Sequence, residues 1–261
     1  MNKTIFHHRE NEFAQILKKC KTNPSKFIFD SKLYLDGIRE SITEVEHGTK
    51  AKSRVLDLGC GTGFTSFLLN KVGLEVEGAD VDINNPEKID EFKRIKGLQM
   101  DIWEKLKNNN LKFRYYDGVK LPFKENNFDA VVAHAVIEHI PPKNYLKVIR
   151  EINRVLKPNG KFYIFRTPRR QSYAEHLAKF LGMGSHEILM DENEVMNQLE
   201  DNGFTVLSAK RTDMIIEYIP GLLPVLNLLS PILLILDSIL LMTPLSFFAH
   251  HMQIISLKTS K

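Results

Sequence analysis

The chain has 261 residues, 43% of them apolar and 26% charged, with 36 Lys and Arg against 32 Asp and Glu for a net charge of +4. That length and apolar content suit one large domain with attachments and exclude a disordered chain, while so small and diffuse a positive surplus does not argue for nucleic acid. The two cysteines, Cys20 and Cys60, share no metal-binding spacing, which predicts a reduced, cytoplasmic setting.

The first residues, MNKTIFHHRENEF, lack the apolar core and cleavage site of a signal peptide. Apolar positions Phe13, Ile16 and Leu17, then Leu33, Ile38 and Ile42, recur at helical intervals and predict two helices within 1–50, separated at Asn23-Pro24. His7 and His8 read as solvated. Residues 53–82, SRVLDLGCGTGFTSFLLNKVGLEVEGADVD, then organise the chain. Residues 55–58 read as a buried strand, Gly59, Gly61 and Gly63 as a tight turn, and 62–71 as a helix with Phe64, Phe67, Leu68 and Val72 on one side. Residues 75–79 form a second strand closing on Asp80. Strand, glycine turn, helix, strand and acid make a nucleotide-binding βαβ unit.

The chemistry of that unit narrows its ligand. Glycines admit a ligand to the backbone, and the helix start offers unpaired N–H groups to a carboxylate or phosphate. Asp80 at a strand end is placed to accept from both hydroxyls of a ribose. A dinucleotide fingerprint wants a third glycine where Phe64 stands. The pattern instead is Asp-x-Gly-x-Gly-x-Gly, with Asp57 two residues ahead of Gly59. S-adenosylmethionine carries an ammonium for that acid and a carboxylate for the helix; a dinucleotide has no such cation.

Farther along, 84–107 reads as helix with Ile89, Phe92 and Ile95 in phase, and 100–106 as a second helical piece that buries Trp103. The run Asn108-Asn109-Asn110 breaks it, and a strand over 111–116 ends at Asp117-Gly118. Residues 128–133 are apolar throughout, as a strand covered on both faces should be, and His134 follows at its end. Pro141-Pro142 introduce a helix over 143–156, closed by Lys157-Pro158-Asn159-Gly160. A strand over 161–166, a helix over 192–202 and strands over 204–210 and 251–258 complete the pattern.

The segments VLDLGCGTG, VEGADVD, YYDGVKLPF, FDAVVAHAVIEHI and REINRVLKPNGKFYIF resemble, in order and spacing, the motifs of class I S-adenosylmethionine-dependent methyltransferases. The resemblance covers residues 50–170 or so, with a weaker echo to 212. It implies an α/β fold: a Rossmann-like seven-stranded sheet, last strand antiparallel, with helices on both faces. It implies an N-terminal helical lid (1–50), a core (51–217), an apolar helical insert (218–248) and the core's final strand (249–261). The implied cofactor-binding set is Asp57, Gly59, Cys60, Gly61, Gly63, Asp80, Val81, Asp117, Gly118 and His134. In it, Asp117 would accept from the adenine amino group and the Gly118 N–H would donate to the ring. The leading helices would cover the cofactor or else merely pack. The segment TPRRQSYAEHLAKFLGMGSHEILMDENEV looks like the wall of an acceptor site.

Candidate catalytic groups are His139 and Glu138, with His186 more distant; His139 reads equally as a helix-start residue holding its loop. IEHI resembles the E-x-x-E-H of quinone-biosynthesis O-methyltransferases, whose two acids and histidine gather a divalent metal. Ala135 stands where the first acid would be, so no obligatory metal is expected. The Asn- or Asp-Pro-Pro-aromatic motif of base N-methyltransferases is absent, which counts against nucleic-acid base chemistry, and no nucleic-acid partner is expected. Arg166, Arg169 and Arg170 suit either an acidic substrate group or a solvated loop.

Residues 219–249, IPGLLPVLNLLSPILLILDSILLMTPLSFFA, carry one charge, Asp237, and no Lys or Arg occurs between Arg211 and Lys258. A hydropathy scan flags a membrane span. In a fold whose last strand pairs beside the one before the insert, a single crossing would separate the two. Pro220, Pro224, Pro231 and Pro244 are expected to chop the run into short helices. The stretch then dips into a membrane face, covers an apolar substrate, caps the sheet or meets a second copy in a homodimer. The function expected is methyl transfer to oxygen or carbon of a small-molecule or lipid-like acceptor. The rival readings are an RNA or protein methyltransferase and a non-catalytic cofactor-binding subunit.

Overall fold

The computed structural model describes residues 1–20, 30–82, 89–183, 186–219 and 221–259. Asn23-Pro24, Asn84 and Pro220, singled out above, lie outside them. Helices α1 (Lys3–Lys18) and α2 (Lys32–Gly48) precede a doubly covered sheet. Its parallel part is β1 (Arg54–Leu58), β2 (Glu75–Val81), β3 (Lys112–Tyr116), β4 (Phe128–His134) and β5 (Leu156–Pro168). Strands β6 (Phe204–Thr212) and β7 (His251–Lys258) follow, and the spatial order is β3-β2-β1-β4-β5-β7-β6. β7 runs antiparallel to both β5 and β6 and lies between them. This is the sheet the resemblance implies.

Period-two alternation explains why the central strands are apolar on both sides. Leu56, Val131, Ala133, Phe162 and Ile164 face α5 (Pro142–Val155) and α7 (Glu192–Asp201). Val55, Ala130, Val132, Tyr163 and Phe165 face the other layer, made of α1, α2, α3 (Phe64–Lys71) and α4 (Ile89–Leu106). In that layer Phe13 of α1 packs its ring 4.8 Å from Phe64 and 5.4 Å from Phe67, and Lys71 pairs with Glu12 at 2.6 Å. Burying one such ring stabilises by about 1.5–3 kcal/mol. So α1 is part of the sheet's covering layer.

Two expectations about helices are corrected. Residues 89–106 form one helix and not two pieces; Gly97 inside it costs about 1 kcal/mol against Ala but does not break it. The prolines do not chop the insert either. A single 19-residue helix, α8 (Leu223–Leu241), runs through Pro231, and only Pro244 begins a separate short turn, Pro244–Phe248. Pro231 has no N–H for the carbonyl of Asn227, and the neighbouring Ser230 hydroxyl donates to that oxygen at 2.9 Å. Pro224 sits in the first turn, where no N–H is needed.

α8 is also not a cap buried against the sheet. It is long and apolar enough to cross a membrane by length and composition, and only 6% of its most apolar window is buried. It lies on α2: the Asn227 side chain accepts from the N–H of Lys32 and donates to the carbonyl of Asp30. β6 and β7, which α8 connects, are hydrogen-bonded neighbours from Phe204–Lys258 to Thr212–His251, so one crossing would tear that pairing apart.

Candidate functional site

The glycine turn leaves β1 at the carboxyl edge of the sheet, where open α/β sheets hold ligands. Gly59 has φ +67°, and a Cβ there would meet Val136 at 2.6 Å, so only glycine fits. Gly61, φ +52°, is different: a Cβ would find nothing within 4 Å, which leaves its backbone open to an approaching molecule. The helix begins at Phe64 after a left-handed Gly63, two residues later than expected. Cys60 is buried within the turn, its N–H donating to Ala79.

Asp80 closes the turn onto β2. Its carboxylate accepts from the N–H groups of Gly61 (2.9 Å) and Val81 (2.8 Å) and from the Gln99 amide (2.7 Å). Burial raises its pKa, against those hydrogen bonds. Trp103 donates its indole N–H to the Gly61 carbonyl at 3.0 Å and stacks on Phe113. Val81 and Gly118 face each other across β2 and β3, a Cβ on Gly118 falling 3.4 Å from a Val81 methyl. Asp117, exposed, ties down its own loop by accepting from Val119 and Lys120, and those bonds lower its pKa.

Strand alternation sets the direction of Asp57. Asp57 shares the face of Val55, toward α3, where the Ser66 hydroxyl donates to it at 2.5 Å. It is 1% exposed, lodged under the turn. Burial pushes its pKa up to about 7. The folded value thus lies above the ~3.9 of an unfolded aspartate, so its ionisation progressively costs stability between pH 4 and 7, and no further above that. Asp57→Asn removes a cost of about 4 kcal/mol but leaves an amide N–H without an acceptor, at about 1–3 kcal/mol. The expected net effect is a gain of about 2 kcal/mol at pH 8 that falls through zero at pH ~5.5 and becomes a loss of about 2 kcal/mol at pH 4, measurable by urea unfolding at the two extremes. A variant no more stable at pH 8 would contradict this.

His134, at the end of β4, holds its Nε2 buried and without a partner, and burial, helped by the charge of Arg166, lowers its pKa to about 3. A short turn, Ile137–His139, follows. Glu138 is buried, with neither oxygen hydrogen-bonded among the described residues, and burial pushes its pKa up to about 7, whereas the His139 side chain is 65% exposed. The two lie 3.8 Å apart, Nε2 to Oε1. His186, distant in sequence, comes to the same place, its ring centroid 5.7 Å from that of His139.

Sequence reasoning missed what holds His186. Glu175, in α6 (Tyr173–Phe180), accepts from its backbone N–H at 2.9 Å and bonds its Nδ1 at 2.7 Å and the Nε2 of His250 at 2.8 Å. Burial opposes the ionisation of Glu175, and these bonds more than offset it, so its carboxyl stays well below the usual range. The three arginines are spent internally and do not form a free acid-binding cluster. Arg166 pairs with Glu217 and Asp213, Arg169 donates to the carbonyls of Phe247 and Ala249, and Arg170 pairs with Glu194.

Residues 56–164 match the family model described as a methyltransferase domain. That stretch of the chain is a methyltransferase domain. Among curated relatives of this chain, the methyltransferase GfsG of Streptomyces halstedii is 33% identical over 115 residues, 44% of this chain and 37% of that protein. The demethylmenaquinone methyltransferase of Staphylococcus aureus is 35% identical over 124 residues, 47% of this chain and 45% of that protein. The matched stretches span less than half the length of these relatives. Solved structures share the fold: the MccD protein, with TM-score 0.59 and 22% identity over 86% of this chain and 98% of that one. The 1,6-didemethyltoxoflavin-N1-methyltransferase of Burkholderia thailandensis, solved with S-adenosylhomocysteine, gives 0.53 and 15% over 100% and 92%. S-adenosylmethionine is the cofactor that such a domain implies. The residues present fit it: Gly61 is open, Asp80 stands at the neighbouring strand end, and His134 offers an orphaned buried nitrogen.

Proposed function

We propose that the protein methylates an oxygen or carbon of a small, lipid-like acceptor. Bound S-adenosylmethionine supplies an activated methyl group with its own leaving group, so the protein's task is alignment more than chemistry. Asp80 holds the ribose, Val81 and Gly118 flank the adenine with Asp117 at its amino edge, and Gly59, Cys60, Gly61 and Gly63 pass the backbone close to the amino-acid end. Asp57 fixes that turn from beneath through Ser66, and His134 contacts the cofactor from the end of β4. His139, exposed beside buried Glu138, is the group placed to take a proton from a hydroxyl acceptor.

The observation that carries the acceptor class is the bare apolar surface of α8. Leu228, Ile232, Ile235, Ile239 and Met242 are all more than half exposed, and Phe180 and Leu181 of the acceptor-wall segment are exposed as well. Exposed apolar area of this kind marks a membrane or partner surface. Between α2 and α8 lies a cavity of about 430 Å³ whose wall is mixed, apolar at Leu33, Leu234, Ile235 and Leu241 and charged at residues that include Asp213 and Glu217. An acceptor dissolved in a bilayer would reach the protein on this side. With no Lys or Arg from 212 to 257, docking rests on apolar area and not on anionic lipid.

The test pairs turnover with flotation. Labelled methyl groups from S-adenosylmethionine should enter the organic-soluble fraction of a membrane extract; label confined to RNA or protein would overturn the acceptor class. The protein should float with neutral phosphatidylcholine vesicles equally well at low and high salt. Leu228→Glu with Ile232→Glu, two exposed sites, should reduce flotation at least tenfold without lowering the melting temperature. Undiminished flotation would refute membrane docking through α8.

A further inference from the structure

We infer that Glu138, His139 and His186 form a binding site for a divalent transition-metal ion beside the acceptor, an inference that rests on the methyl-transfer reading for its role but not for its existence. One ligand atom from each lies within 4.8 Å of the others. Ligands 2.0–2.2 Å from a common ion stand about 3–3.5 Å apart, so closure needs only a modest shift of the two histidine rings. His139 and His186 are exposed enough to make it, at 65% and 35% of their side-chain surface.

Two further observations point to a ligand. The Glu138 side chain has no exposed surface, and among the described residues neither of its oxygens has a hydrogen-bond donor. A buried carboxylate left this way is expensive unless something cationic completes it. Beyond it, Glu175 bonds the Nδ1 of His186, which fixes the ring and leaves Nε2 as the free ligand atom. A carboxylate behind a ligating imidazole is the usual second support of a metal histidine. Glu175 is itself anchored by His250 from the start of β7, so the ligand is braced by the sheet.

This revises what Ala135 implied. The missing acid of the E-x-x-E-H pattern is not needed if His186 completes the set from beyond α6. The donor type changes with it. Two imidazoles and one carboxylate favour Zn²⁺, Co²⁺, Ni²⁺ or Fe²⁺ over Mg²⁺, which prefers oxygen. Three protein ligands leave a position open toward the acceptor, where an ion would hold an oxygen substituent and favour its deprotonated form, taking over from His139 the part of proton acceptor that the metal-free site gives it.

The probe is Co²⁺ alone, added to full-length protein stripped with a chelator, read by visible absorption and calorimetry. One equivalent should bind and be displaced by Zn²⁺. His139→Ala and His186→Ala should each weaken binding at least tenfold, and Glu175→Gln by about 10–100-fold. The His7→Ala, His8→Ala double variant should retain full binding, and Glu138→Gln, isosteric, should lose it. Absence of bound Co²⁺, or affinity unmoved in both His139→Ala and His186→Ala, overturns the site. S-adenosylhomocysteine titrated into the same samples separates the two readings: Co²⁺ bound without it sinks methyl transfer and leaves the metal site standing, and the reverse sinks the metal site alone.

Discussion

Replacing Asp80 by Ala is expected to weaken S-adenosylhomocysteine binding about 100-fold or more while leaving the sheet folded. Both ribose hydroxyls would donate to this carboxylate, and hydrogen bonds to a charged acceptor are each worth about 1.5–3 kcal/mol, so losing two costs at least ~3 kcal/mol. The same carboxylate holds the N–H of Gly61, so the open face of the turn loses its anchor as well. Asp80→Asn keeps one acceptor oxygen and should fall between, near tenfold. Any ribose ligand would show this pattern, so the wild-type protein must also be shown to bind the homocysteine nucleoside and not a pyridine dinucleotide. Calorimetry, with far-UV circular dichroism as the folding control, decides it. Native affinity in Asp80→Ala would refute the ribose assignment.

Much of this site was legible because it is local. The strand, turn and helix of 54–71 and the acid at 80 follow from residues within thirty positions of each other, and the βαβ geometry leaves little choice once they are read. The place of β7 was legible because an antiparallel return beside β6 is dictated by the sheet. Other features depend on pairs far apart in sequence, which no local pattern records. His186 joins His139 only because α6 carries Glu175 to both His186 and His250. Arg169 reads as a loop cation until its guanidinium is seen donating to Phe247 and Ala249. The integrity of α8 turned on one hydroxyl, Ser230, taking the carbonyl that Pro231 abandons. Asp57 divides between the two kinds: the motif gives its position in the chain, and strand alternation turns it toward Ser66.

The second large effect lies behind the site, at Arg166. Its backbone sits at φ +59° where the β5–β7 register shifts, and that irregularity turns the side chain inward. The guanidinium is buried, forked onto Glu217, 3.4 Å from Asp213, and 4.8 Å from the Tyr34 ring; Gly37 of α2 makes room for it, since a Cβ there would stand 2.8 Å from Nη1. Arg166→Met strands two buried carboxylates and should cost about 3–5 kcal/mol, a fall in melting temperature of roughly 10 °C at neutral pH. Converting Asp213 to Asn and Glu217 to Gln in the same variant should restore most of it, because the penalty comes from unpaired charge and not from lost volume. The pH dependence gives an independent check. Burial would raise the Asp213 pKa, but the charge of Arg166 and a bond from His251 hold it well below the usual range. A depressed carboxyl contributes stability above its unfolded pKa of about 3.9 and loses it as pH falls. The gap between wild type and Arg166→Met should therefore be widest at neutral pH and narrow below pH 4, as the stranded acids take up protons. A gap that stays constant from pH 7 to pH 3 would mean that Arg166 stabilises by packing alone, and the charge network would have to be abandoned as the device that binds α2 to the end of β5.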